Sequence, residues 1–94
     1  MTPEQLRELE DGLRRVLHAT WRLPSATWVM LRHDPDLDGV MLGLCARQRY
    51  AGDGPFMAVR RLYGHEESKA PDFGGAVLRD FAALRLELIR GMGG

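Results

Sequence analysis

Three runs of strand-forming residues lie between residues 26 and 64, joined by links of only a few residues, and this spacing limits the fold more than anything else in the chain. The runs are "ATWVMLRH" (26–33), "GVMLGLCARQR" (39–49) and "PFMAVRRLYG" (55–64). They are rich in β-branched, aromatic and other apolar residues, as strands are. The links "DPDLD" and "YAGDG" carry Asp, Pro and Gly, which favour turns. Parallel neighbours need a crossover of a dozen residues or more, so links this short predict an antiparallel meander.

Both flanks read as helices. Thr2-Pro3-Glu4-Gln5 has the form of a capping box, with Pro at the first helical position. Leu6, Leu9, Leu13, Val16, Leu17 and Trp21 follow at helical spacing, and Pro24 sets the end near Arg22. After the loop "HEESKAP", residues 72–90 place Val77, Phe81, Leu84 and Leu88 on one stripe, with Leu78, Ala82 and Ile89 beside it. "GMGG" then reads as a frayed end. The predicted fold class is α+β: a single domain over residues 1–94, in the order α-β-β-β-α. Double-stranded-RNA-binding domains share this order of elements. That family binds through a lysine cluster at the start of its last helix. Here the corresponding stretch is "SKAPDFGG", with one Lys and an Asp, so the shared topology implies no function.

Thirteen basic and thirteen acidic residues give a net charge of zero, so no bulk field steers the chain to nucleic acid or an anionic membrane. Twelve of the thirteen basic residues are Arg, which suits bidentate pairing and interfaces. The single cysteine, Cys45, has no partner for an internal disulfide. The N-terminus is acidic and amphipathic, and no apolar run is long enough to span a bilayer. The expected location is cytoplasmic.

Asp34, Asp36 and Asp38 followed by Gly39 imitate the opening of a calcium loop. The twelfth position, where a bidentate acid is needed, is Cys45, and the flanks are strands instead of helices. A solvated hairpin loop is the expectation. A meander would also gather His33, Asp34, Asp36, Asp38, His65, Glu66 and Glu67 at one end of the sheet. A metal-dependent site at His33/His65 is therefore the third functional reading. Cys45 sits mid-strand as a small hydrophobe, no phosphate-binding loop is present, and no nucleophile has a base beside it. No catalytic residue, cofactor or metal is assigned.

Alternation along the strands sorts the residues into two faces. The expected core face holds Trp28, Met30, Val40, Leu42, Leu44, Ala46, Phe56, Ala58 and Leu62. The second face holds Val29, Leu31, Met41, Cys45, Met57, Val59 and Tyr63, with Arg47, Arg49 and Arg61 among them. If both helices cover the first face, the second is an exposed Met/Arg-containing surface of the kind that marks an interaction site. The leading expectation is a small non-catalytic protein-binding protein, such as an adaptor, a small chaperone or a phage- or plasmid-type inhibitor. It would bind another protein or itself, as a homodimer, through Val29, Leu31, Met41, Arg47, Arg49, Met57, Val59, Arg61 and Tyr63. The alternative is a nucleic-acid binder using Arg47, Arg49 and Arg61 on the sheet.

Overall fold

A computed structural model of the chain describes residues 2–20, 25–36, 38–48 and 56–91, with backbone alone at residues 20, 25, 26, 47, 48, 56 and 57. The elements are α1 (Pro3–Thr20), β1 (Ser25–Asp34), β2 (Gly39–Gln48), β3 (Phe56–Tyr63), α2 (His65–Ser68) and α3 (Phe73–Gly91). The strands form one antiparallel sheet in the order β1-β2-β3. The α+β class, the meander and the two long flanking helices are as the sequence predicts. The expected helix end near Arg22 and the link "YAGDG" lie outside the described residues.

Local chemistry accounts for the start of α1 and for the first hairpin. The Thr2 N–H donates to Gln5 Oε1 at 2.8 Å, and the Gln5 N–H donates to Thr2 Oγ1 at 3.2 Å. Two amides with no helical partner are thereby satisfied. In the hairpin, the Asp36 N–H donates to Asp34 Oδ1 at 3.0 Å, the local bond that makes Asp a turn residue. Asp38 takes a left-handed conformation with φ 47°. Gly39 then starts β2 so close to the neighbouring strand that a Cβ there would overlap the Tyr63 carbonyl oxygen. α2 is a single turn inside the stretch expected as loop. It follows Gly64, whose N–H donates to Glu67 Oε1 at 3.2 Å.

The core is one cluster on one side of the sheet. Leu6, Leu13 and Leu17 of α1 and Phe73, Val77, Phe81, Leu84 and Leu88 of α3 are buried against Val29, Leu31, Val40, Leu42, Leu44, Ala46 and Tyr63. α1 packs on β1, while α3 packs on β3 and β2. Each helix is pinned by a carboxylate to the outer strand beneath it. Glu10, 8% exposed, accepts the Leu31 N–H on the unpaired edge of β1 at 2.8 Å. Asp80 accepts the Tyr63 O–H at 2.7 Å and the Arg61 Nε–H at 3.1 Å.

The sheet's two faces differ from the sequence expectation. The first hairpin closes with Asp34 opposite Gly39, so its loop is residues 35–38 and Asp34 belongs to the strand. Residues that face each other then have opposite parity: Leu31 with Leu42, and Val29 with Leu44. The five-residue loop "DPDLD" would pair His33 with Gly39 and match like parity. One residue of register moves every side chain of a strand to the other face. The β2–β3 register is also odd with even, pairing Leu44 with Val59 and Val40 with Tyr63. The covered face therefore joins the expected β2 residues to Val29, Leu31, Val59 and Tyr63, in place of Trp28, Met30, Ala58 and Leu62.

Candidate functional site

With both long helices on one side, the opposite face of the sheet has no layer over it among the described residues. Its composition follows from the register. Trp28, Cys45 and Ala58 form one row across the three strands, Met30, Gly43 and Arg60 the next, and Arg32, Met41 and Leu62 the third. The backbone register puts Ala26, Arg47 and Phe56 in a further row. Trp28, Met30 and Met41 are half-buried, Ala58 and both arginines are exposed, and Leu62 is 39% exposed.

The relief of this face is uneven in a useful way. Gly43 and Cys45, on the central strand, stand little above the backbone, as does Ala58 on β3. Trp28, Met30, Met41 and Leu62 surround them. The Met30 methyl lies 3.7 Å from where a Gly43 Cβ would stand, so Met30 leans over the glycine. Cys45 is only 5% exposed, and burial pushes its thiol pKa up, which disfavours the nucleophilic thiolate.

Its charge is lopsided. Arg60 has no hydrogen-bond or ion-pair partner among the described residues. Arg32 reaches round the strand edge to Glu10, at 3.7 Å, with its side chain still 67% exposed. The single described carboxylate on this face is Asp34, at the hairpin end.

Of the nine residues expected to form a binding surface, the structure places few there. Val29, Leu31 and Tyr63 are buried beneath the helices, and Val59 packs against the same core. Arg61 stands on the helix side, 3.1 Å from Asp80 and 3.6 Å from Glu67, with its guanidinium 5.3 Å from the Tyr63 ring centroid. The Tyr63 ring meets Phe73 edge-on at 5.0 Å. Burial, with the Asp80 carboxylate beside it, holds the Tyr63 phenol pKa well above its ordinary value. Met41 does lie on the open face. The Arg47 backbone is in its end row, Met57 is set opposite Ala46 in the register, and Arg49 falls outside the described residues. The three arginines expected for nucleic acid therefore do not share a face, because Arg61 is held on the other side.

At the hairpin end, His65 Nδ1 approaches Asp38 Oδ2 at 3.4 Å. His33 is exposed at the end of β1. Among the described residues, no three His, Cys, Asp or Glu side chains converge as a metal site requires. Among them also, no helix is long and apolar enough to cross a membrane.

Two groups of residues escape a sequence reading. Trp28 and Met30 were assignable to the open face only with the hairpin closed at Asp34, and Arg60 and Leu62 only with the β2–β3 register. Glu10 carried a visible signal: Leu6, Glu10, Leu13 and Leu17 form one helical stripe, and a carboxylate in a core-facing stripe demands a partner. Compared with known protein families, curated proteins and solved structures, the chain matches none.

Proposed function

We propose that this protein is a non-catalytic binding domain whose working surface is the open sheet face, centred on Cys45 and bounded by Trp28, Met30, Met41 and Leu62. One observation carries the reading: both long helices bury their apolar stripes on the same side, leaving large apolar side chains on the other side partly exposed. Partly exposed Trp and Met beside Arg is the composition of interface centres, whereas scattered single apolar residues carry no such meaning.

Photo-crosslinking in cells of the source organism tests this. Benzoylphenylalanine replaces Leu62 on the open face or, as a control, Leu86, which is 56% exposed on α3. Protein adducts from position 62 and none from 86 are expected. An adduct at twice the chain mass would identify a second copy as the partner. No adduct at 62 refutes the reading. Leu62→Glu should leave circular dichroism and melting nearly unchanged, because that side chain has no helix over it.

A further inference from the structure

We infer that the open face is completed by an amphipathic helix of another protein, with acidic residues flanking its apolar stripe; this rests on the reading of that face as a protein-docking surface. Size is the first argument. Neighbouring strands lie about 4.8 Å apart, so β1 and β3 are separated by roughly 10 Å, close to the diameter of one helix. Eight residues of β3 span about 26 Å, the length of a helix of roughly 17 residues. One helix laid along the sheet covers it and completes a three-layer α/β/α arrangement.

Relief is the second argument. Cys45 and Ala58 are small, so a helix can approach the sheet closely beside Trp28, while Met30 covers Gly43. Met30 and Met41 are unbranched and adapt to a convex partner, as methionine does in other helix-binding grooves.

Charge is the third and selects the partner. Arg60 projects from this face without a counter-ion among the described residues, and Arg32 is mostly exposed. An acidic flank answers both. A second copy packed face to face would set these arginines against their own kind. The copy's helices have already turned their apolar stripes to the sheet. A copy that offered the exposed Leu78 and Leu86 of α3 would join head to tail, and such contacts build open chains unless a rotation closes them.

The test is selection of a display library of random 16-residue peptides on the intact protein, with Leu62→Glu and Arg60→Glu variants as comparators. Enriched peptides should repeat apolar residues at helical spacing with Asp or Glu on the flanks, and should gain helicity on binding. Affinity should fall about tenfold or more with Arg60→Glu and recover when the peptide's acids are changed to Lys. Circular dichroism confirms that each variant folds. Apolar residues at alternate positions, a basic consensus, or no enrichment would each overturn the helix. So would a wild-type dimer or polymer that Leu62→Glu dissolves, or a single-stranded 16-nucleotide oligomer that binds and is lost with Arg60→Glu. If the helix fails while Leu62 still crosslinks to protein, the docking reading stands. If both fail, both are wrong.

Discussion

Removing the Glu10 carboxylate separates two sources of stability that the structure combines in one side chain. Its Oε2 accepts the Leu31 N–H at 2.8 Å in a buried setting. Its Oε1 lies 3.2 Å from Arg14 and its Oε2 3.7 Å from Arg32, whose side chains are 47% and 67% exposed. Exposed guanidiniums are screened by water, so the two ion pairs together contribute no more than about 1 kcal/mol. A buried N–H left without an acceptor costs about 1–3 kcal/mol. Glu10→Ala loses both contributions and should destabilise by about 1–4 kcal/mol. Glu10→Gln keeps an amide oxygen that still accepts from Leu31, and should cost about 1 kcal/mol or less. With a urea dependence of roughly 1 kcal/mol per molar for a domain this small, the unfolding midpoint falls by about 1–4 M for alanine and about 1 M or less for glutamine. Hydrogen exchange gives a local readout, since the Leu31 amide should lose protection in the alanine variant and retain most of it in the glutamine one. Equal losses for the two variants would refute the argument, because they would place the effect in the charge instead of the acceptor.

Gly39→Ala should be more damaging than an exposed glycine substitution. Its Cβ meets the backbone carbonyl of Tyr63, which cannot turn aside as a side chain can, so a loss of at least about 1–3 kcal/mol is expected in chemical denaturation. Gly12→Ala, where a Cβ meets nothing, should be neutral or stabilising, and equal effects at the two glycines would contradict the packing described. Tyr63→Phe leaves Asp80 its bond to Arg61 and should cost about 1 kcal/mol by the same assay. Tyr63 also predicts an alkaline limit. The folded phenol keeps its proton where the unfolded one, with its ordinary value of 10.0, loses it, so stability falls as pH rises past about 10. Melting curves across that range should show a shallower fall for Tyr63→Phe, and parallel curves would remove Tyr63 as a source of the effect.

What could be read from the sequence divides by distance along the chain. The Thr2–Gln5 cap, the Asp34 turn and the Phe73–Leu88 stripe each depend on residues a few positions apart, and each is legible. The face of β1 depended on whether Asp34 lies in the strand or the loop. Turn chemistry alone leaves that undecided, since Asp suits both the last strand position and the first turn position. In β1 the consequence put Val29 and Leu31 under the helices and brought Trp28 and Met30 out; the β2–β3 register separately put Val59 and Tyr63 in and Ala58 and Leu62 out. Glu10 with Leu31, and Asp80 with Tyr63, join residues from separate elements, and no local spacing reveals such pairs. Counting three strands against two long helices leaves an apolar face uncovered only if both helices share one side, as they do. Which residues make it was not legible.

The Glu10 contact bears on how copies of this chain can associate by their edges. An exposed outer strand is a template for further strands, and a sheet with two free edges can add copies without limit. On β1 the outward N–H of Leu31 is already held by a carboxylate, which has no proton to offer in return. A strand arriving there would have to displace Glu10 and leave it buried without that partner. Glu10 therefore hinders addition at that point of β1, whereas on β3 the outward-facing backbone groups belong to Phe56, Ala58, Arg60 and Leu62. A molecule with one usable edge can pair with a single copy through a twofold axis, and the pair then has no free edge left to grow. Growth through both edges would require that Glu10 first release the Leu31 N–H.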